Sequence, residues 1–152
     1  MMLVKTVGRT ILATSAAAAL MAPLPTQAED SSVKRRLDSA GQRYKVDKDG
    51  DFKITLGFKE DQRTQVVFVS GTPDTVDNLI VLNIFAAAAK VDADSVGATA
   101  LDILRANNKF KTANFEVQGN ILLFTIKLSD ASDGNQIQRA AQLAAIAADE
   151  EE

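Results

Sequence analysis

The sequence predicts an α+β fold in which helices pack on one antiparallel β-sheet. Residues 52–59 alternate strictly between apolar and polar side chains, as a half-buried strand does. Two apolar stretches meet at Gly119 and Asn120, a pair that favours the tight reversal of a β-hairpin. Other segments carry apolar residues at helical spacing. Strands in runs, with helices between the runs, give the predicted order α-β-β-β-β-α-β-β-α.

The first predicted helix covers the segment SSVKRRLDSAGQRY. Ser31 or Ser32 can cap its start, and Gly41 suits its end because glycine tolerates the left-handed conformation that often stops a helix. The charged face is interpreted as a solvated helix face rather than a functional basic patch. The opposite, apolar stripe consists of Val33, Leu37, Ala40 and Tyr44.

A β-hairpin is predicted next, in which Asp49 and Gly50 join a short strand, RYKV, to the strand FKITL. Asp-Gly is a favoured pair for a two-residue type I′ turn. A polar turn, KEDQRT, leads to TQVVFVSG, which is apolar on both faces and is therefore predicted to be central in the sheet. The segment GTPDTVDN then interrupts regular structure. The face of the second strand that points to the core consists of Phe52, Ile54, Leu56 and Phe58.

Residues 79–89 fit two interpretations. Residues 79–85 are rich in β-branched side chains, which favours a strand, whereas the four alanines at 86–89 suit a helix equally well. We predict a strand through the alanines, whose small side chains would let another element pack closely on the sheet. Asn83 shares a face with Val81 and Phe85 and is interpreted as a hydrogen-bonded sheet residue, with a ligand contact as the alternative.

A second helix is predicted over DSVGATALDILRANN, capped by Asp94 or Ser95 and ended by Asn107 and Asn108. The hairpin around Gly119 follows, and its second strand is apolar on both faces. The last helix is rich in alanine and ends in four acids, where the helix dipole disfavours negative charge, so residues 146–152 are expected to fray. Its apolar stripe consists of Ile137, Ala141, Ala144 and Ala148.

The first 28 residues have the plan of a secretory signal peptide. Two basic residues and no acid accompany an apolar run that begins at Ile11, and small residues lie at Thr26 and Ala28. The run is too short and too rich in alanine for a good membrane span, which needs about 20 apolar residues. Cleavage after Ala28 would leave residues 29–152 as one domain, without a stable membrane span, in the periplasm or outside the cell. The formal net charge would change from −3 to −5, which disfavours nucleic-acid binding.

The chain has no cysteine and no histidine. Disulfides, thiolate nucleophiles and zinc–thiolate sites are therefore excluded, as is catalysis by serine–histidine–acid or cysteine–histidine groups. With no tryptophan and one tyrosine, an aromatic stacking platform is not expected. Two loose acidic pairs, Asp92 with Asp94 and Asp130 with Asp133, are explained by helix capping and loop chemistry. No catalytic or cofactor-binding residue is assigned, and the chain is not expected to be an enzyme.

The segment KVDKDGDFKI, residues 45–54, carries the sharpest chemical signal. Asp47, Asp49 and Asp51 match the first, third and fifth positions of a helix–loop–helix calcium loop. The sixth position is Phe52 instead of glycine, the twelfth is Phe58 instead of glutamate, and the flanks resemble strands. The motif is rejected in favour of a hairpin turn whose carboxylates project into solvent, and no metal ligand is assigned. A weak surface cation site on the three aspartates is the alternative.

Two strings resemble parts of the YbjN family, bacterial proteins described as sensory transduction regulators. LDSAGQRYKVDKDGDFKITL is similar to the opening of that family: a helix ending in glycine, an aromatic residue, a D-x-D-G-D-like turn and an alternating strand. LRANNKFKTANFEVQGNILLFTIKL resembles its later core. The resemblance extends from about Val33 to Ala148. It implies a fold similar to class I type III secretion chaperones, which bind unfolded effector segments as dimers, and it supplies no catalytic residues. Those chaperones work in the cytosol, so the signal peptide argues against a literal role in that secretion system.

These features together predict an exported, non-catalytic binding module for a protein or peptide, with a regulatory or chaperone-like role. No cofactor is expected, and the resemblance leaves a homodimer open. The alternative is a small-ligand or cation sensor in the periplasm, which would use Asp47, Asp49 and Asp51 or an internal pocket.

Overall fold

The computed structural model describes residues 31–58, 62–91 and 96–150, which form three helices and seven strands. The predicted signal peptide, residues 59–61 of the predicted polar turn, the acidic pair Asp92 and Asp94, and the predicted helix cap at Asp94 or Ser95 lie outside these residues. Within them, no helix has the length and apolar character that crossing a membrane requires. The helices are α1 (Ser31–Ser39), α2 (Val96–Asn107) and α3 (Gly134–Asp149). The strands are β1 (Lys45–Val46), β2 (Phe52–Gly57), β3 (Thr64–Val69), β4 (Asp74–Val76), β5 (Leu79–Lys90), β6 (Ala113–Gln118) and β7 (Ile121–Ser129).

All seven strands belong to one antiparallel sheet, in the order β1-β2-β3-β5-β7-β6, with β4 also paired to β5. The predicted α+β class is confirmed, and β3 is central as expected. The prediction missed β4, which lies in the segment expected to be irregular. Residues 70–73 do break the strand, but a turn at Asp77 and Asn78 then folds β4 onto the first residues of β5. Because β5 has 12 residues, it is long enough to pair with both β3 and β4 along one side.

The strand through the alanines is confirmed, because β5 continues to Lys90. Ala86 and Ala88 are buried, and α3 packs on β5 through a helix face that is itself largely alanine. Small side chains on both elements permit this close approach. A β-bulge between Ala87 and Ala89 shifts the register of β5 against β7.

One face of the sheet forms the core beneath α3. This helix packs on β2, β3, β5 and β7, and α1 packs beside it. The predicted stripe of α3 is confirmed, since its four residues are buried. Along β2 the alternation is confirmed at Phe52 and Ile54, which are fully buried, while Leu56 is half-buried and Phe58 is half-buried beyond the end of the strand. The largest fully buried side chains are Phe52, Leu37, Ile54, Leu82, Ile84 and Ile137.

The junction between α1 and α3 is tightly built. Asp133 and Gln136 form a reciprocal capping box at the start of α3. The Arg36 guanidinium of α1 donates to the Asp130 carboxylate and to the Ser132 carbonyl oxygen, each at 2.9 Å. Asp130 and Asp133 therefore serve loop and cap geometry, as the sequence indicated.

Two helix boundaries differ from the prediction. Tyr44 lies outside α1, because Gly41 has a φ of 66° and ends the helical path. Its ring packs edge-on against Phe52, with centroids 5.1 Å apart. At the other end of the chain, α3 continues through Asp149 instead of fraying from residue 146. The Arg63 guanidinium lies 2.9 Å from the Asp149 carboxylate and compensates the unfavourable charge at the helix end.

Candidate functional site

The three aspartates that gave the sharpest sequence signal lie in the loop between β1 and β2. This loop covers residues 47–51, and only Gly50 in it has a positive φ, of 88°. The hairpin is confirmed, but the two-residue type I′ turn is wrong, because that turn needs a positive φ at Asp49 as well. The carbonyl oxygen of Asp51 accepts from the N–H of Asp47 and closes the longer loop.

Two of the three carboxylates bind backbone groups rather than project into solvent. Asp47 Oδ1 accepts from the N–H groups of Asp49 and Asp51, at 2.9 and 3.0 Å. Asp51 Oδ1 accepts from the N–H of Gly71 at 2.9 Å, which ties this loop to the end of β3. The expectation of solvent-facing carboxylates holds for Asp49 alone, which is exposed beside Lys48.

Partial burial raises the pKa of Asp51, and the nearby charges of Asp47 and Asp49 raise it further. The hydrogen bond from Gly71 opposes this pKa shift without cancelling it. No three acidic side chains in the described residues converge in a way that could hold a metal ion. The geometry therefore assigns the aspartate motif a structural role in the loop.

Replacing Asp47 by alanine should lower the free energy of unfolding by about 1–2 kcal/mol, because two loop N–H groups lose their charged acceptor. Asp49→Ala is the matched control in the same loop and should change it by less than about 0.5 kcal/mol, since Asp49 accepts no loop N–H. Urea unfolding of both variants measures the difference. A calcium-dependent rise in melting temperature that Asp49→Ala removes would instead reinstate the cation site.

A polar basin of about 340 Å³ lies on the sheet face opposite the core. Its polar groups largely satisfy one another: Asn83 Nδ2 donates to Asp74 Oδ2 at 2.6 Å, and Thr125 Oγ1 donates to Glu116 Oε1 at 2.9 Å. The interpretation of Asn83 as a hydrogen-bonded sheet residue is confirmed. The basin is lined by Ser70, Asp74, Asn83, Phe85, Glu116, Gln118, Leu123, Thr125 and Lys127.

A larger cavity, of about 630 Å³, runs along α3 on the core side of the sheet, and we call it the α3 groove. One wall is the flank of α3, and the other is the segment that leads from α2 into β6. Alternate residues of β7 form its floor. The residues that line it are Lys109, Phe110, Lys111, Thr112, Ala113, Phe124, Ile126, Leu128, Ser132, Gln136, Arg139, Ala140, Leu143, Ile146, Ala147 and Glu150.

The floor of the α3 groove is apolar and firmly packed. The Phe124 ring meets those of Phe110 and Phe115 edge-on, with centroids 5.0 and 4.8 Å apart. Above this floor, α3 presents Leu143 and Ile146, whose exposed fractions are 61% and 46%. Large apolar side chains therefore face solvent along a cavity whose base is already apolar.

The far wall of the α3 groove is positioned by Asn107, the last residue of α2. Its Oδ1 accepts from the N–H of Phe115 at 2.7 Å, and its Nδ2 donates to the Phe115 carbonyl oxygen at 3.1 Å. The sequence suggested Asn107 only as a helix end, which it is. Its hold on β6 was missed, because a side-chain amide that binds a strand eight residues later leaves no periodic signal.

The α3 groove as a whole was also missed. The predicted stripe of α3 marked only the face that packs on the sheet. Leu143 and Ile146 lie on the adjacent flank, and their size in a helix otherwise rich in alanine was the available signal. That signal could not show which surface lies beside them, because this depends on how α2 and β6 pack.

Comparison with solved structures identifies the architecture. The chain overlaps the Yersinia pestis type III secretion chaperone SycH, crystallised with a stable fragment of YscM2, with a TM-score of 0.53. The overlap covers 80% of this chain and 98% of SycH at 16% sequence identity. The fold is chaperone-like. The predicted resemblance to this class of fold is thereby confirmed.

The chain also overlaps the crystal structure of YbjN from E. coli, at a TM-score of 0.45 and 17% identity, over 74% of this chain and 80% of YbjN. No family model and no curated protein matches the sequence.

Proposed function

We propose that this protein is an exported, non-catalytic binding module that holds an apolar segment of a protein or peptide in the α3 groove. Its role would be regulatory or chaperone-like. The observation that carries the proposal is the groove itself, which has an apolar floor and is lined on the α3 side by the exposed side chains of Leu143 and Ile146. Apolar side chains gathered along a cavity gain free energy when a partner removes them from water.

The chaperone-like fold supports this proposal by analogy. SycH, which shares the fold, was crystallised with a protein fragment bound. A fold alone does not determine function, so the α3 groove, and not the overlap, specifies where this chain would bind.

The ionisable groups of the α3 groove support a binding role rather than catalysis. Its lining includes Lys109, Lys111, Arg139 and one acid, Glu150. General acid–base chemistry commonly uses histidine or a pair of carboxylates with separated pKa values. The chain contains no histidine, and the described part of the groove lining supplies a single carboxylate.

Export is the part of the proposal that depends on residues 1–28. N-terminal sequencing of the protein recovered from the periplasm or the medium should begin at Glu29. A cytosolic protein that retains Met1 would overturn export and leave the binding proposal standing. Sedimentation of the same sample would determine whether the module is a homodimer.

The binding proposal is tested by placing a charge in the α3 groove. Leu143→Asp should leave folding intact, since the side chain is 61% exposed, and should weaken partner binding at least about tenfold, because the partner would bury an unpaired carboxylate. The matched control is Leu104→Asp, at a helical position that is 63% exposed and outside the groove lining.

Partners would be captured from the native compartment after mild crosslinking and identified by mass spectrometry. A partner that binds the wild type and Leu104→Asp but not Leu143→Asp supports the proposal. Partners that are retained equally by all three proteins would show that binding occurs elsewhere.

A further inference from the structure

We infer that the segment bound in the α3 groove is acidic, with Asp or Glu side chains beside its apolar anchors. This inference rests on the proposed function, since it specifies the chemistry of the partner that the groove would hold. Its basis is the distribution of charge around the groove, which differs in sign from the charge of the whole chain.

Three cations line the α3 groove. Lys109 and Lys111 belong to the wall before β6, and Arg139 belongs to the α3 wall. Between described residues, none of the three takes part in an ion pair. Among the lining residues that the structure describes, which end at Glu150, the only acid is Glu150 itself. The groove thus carries an excess of positive charge on a chain whose formal net charge is −3.

The spacing of these charges favours a partner with several carboxylates. The groove lines α3 from Gln136 to Glu150, a length of about 21 Å at 1.5 Å per residue. Cations stand on both walls, so one anionic headgroup would leave part of the positive charge unmatched. A peptide segment could place apolar side chains on the floor of the groove and acidic side chains beside the cations of each wall.

The position of Glu150 also predicts the orientation of the bound peptide. Glu150 lies about 16 Å along α3 from Arg139, at the C-terminal end of the groove. Acidic side chains of the partner are therefore expected toward the N-terminal half of α3, and a basic or neutral side chain is expected near Glu150. Charges placed in this way select an orientation as well as a composition.

The first test is a selection from a random dodecapeptide library displayed on mRNA. The whole chain is expressed and purified as wild type and as Leu143→Asp, and peptides that bind only the wild type are sequenced. We expect these peptides to be rich in Leu, Ile and Phe, with Asp and Glu at least about threefold more frequent than Lys and Arg. Groove-dependent peptides without an acidic excess would overturn the inference while leaving the proposed function in place.

The second test removes the cations. The triple variant Lys109→Ala, Lys111→Ala, Arg139→Ala should bind a selected acidic peptide about tenfold more weakly and with a smaller dependence on salt, as the loss of three exposed charge pairs predicts. The matched control removes three exposed lysines outside the groove, Lys45, Lys53 and Lys90, and should change binding less than about twofold. An equal loss of peptide affinity in both triple variants would show that the net charge of the protein, and not the cations of the groove, determines binding, and it would contradict the inference.

Two further outcomes assign the groove to another occupant. If no selected peptide depends on the groove but fluorescent dodecanoate binds the wild type and not Leu143→Asp, the groove holds a fatty acid. If instead the wild type self-associates and Leu143→Asp does not, a second copy of the chain fills it. Either result overturns both the acidic-peptide inference and the proposed peptide-binding function.

Discussion

Phe124→Ala is expected to lower the free energy of unfolding by about 4 kcal/mol. The ring is 2% exposed and lies beneath the α3 groove, in edge-on contact with Phe110 and Phe115. Truncating a buried phenylalanine to alanine typically costs about 3–5 kcal/mol, since the protein loses the transfer free energy of the ring and is left with a cavity. The two aromatic contacts, each worth about 0.5–1.5 kcal/mol, are part of that loss.

Chemical denaturation monitored by circular dichroism measures this change, with the slope against denaturant as a check on two-state behaviour. The control is Phe68→Ala, because Phe68 is half-buried on the opposite face of the sheet and stacks on Phe85. It should cost about 2 kcal/mol, in keeping with its smaller buried area. Equal losses at the two positions would show that Phe124 is not part of a tightly packed core.

Gly134→Ala is expected to lower the free energy of unfolding by about 2 kcal/mol, although alanine is the better helix former. A Cβ atom at residue 134 would lie 2.0 Å from the Arg36 carbonyl oxygen and 2.9 Å from the Ala40 Cβ atom. The contacted oxygen is backbone, so α1 and α3 must move apart, and overpacking of this kind costs about 3 kcal/mol. Helix propensity returns at most about 1 kcal/mol, so the steric term dominates.

Gly57→Ala provides the contrast, because no atom beyond the adjacent residues lies within 4 Å of its added Cβ and its φ is not positive. That variant should be neutral or more stable by a few tenths of a kcal/mol, since alanine restricts the unfolded chain. Urea unfolding of both variants separates the two effects. A stabilised Gly134→Ala protein would mean that α1 does not pack on α3 at this distance.

The sequence predicted the sheet well where one face of a strand is buried in the core and the other face is exposed to solvent. Along β2, apolar and polar residues alternate with the two-residue period of a strand, and each falls on the face that its chemistry indicates. The hairpin at Gly119 was similarly local, with a φ of 63° at Gly119 and direct pairing of Gln118 with Ile121. Features that depend on neighbours in sequence were therefore predictable.

Features that depend on distant neighbours were not. The strand β4 has three exposed residues and forms only because the long β5 offers it a partner. The Asp51 side chain binds the N–H of Gly71, twenty residues away, so its carboxylate could not be assigned from the loop sequence alone. The α3 groove requires α3, β7 and the segment before β6 to lie together, and no single stretch of sequence encodes that arrangement.

Asn107 also bears on the exposed edge of the sheet. A strand at the border of a sheet presents unpaired N–H and C=O groups on which another chain could continue the sheet, and repeated addition would lead to aggregation. The Asn107 amide occupies both outward backbone groups of Phe115, near the middle of β6. The Asn107 side chain thus makes the two hydrogen bonds that a neighbouring strand would make at Phe115, but at that residue alone. The same contact that positions a wall of the α3 groove therefore covers part of the edge of β6 against addition of another strand.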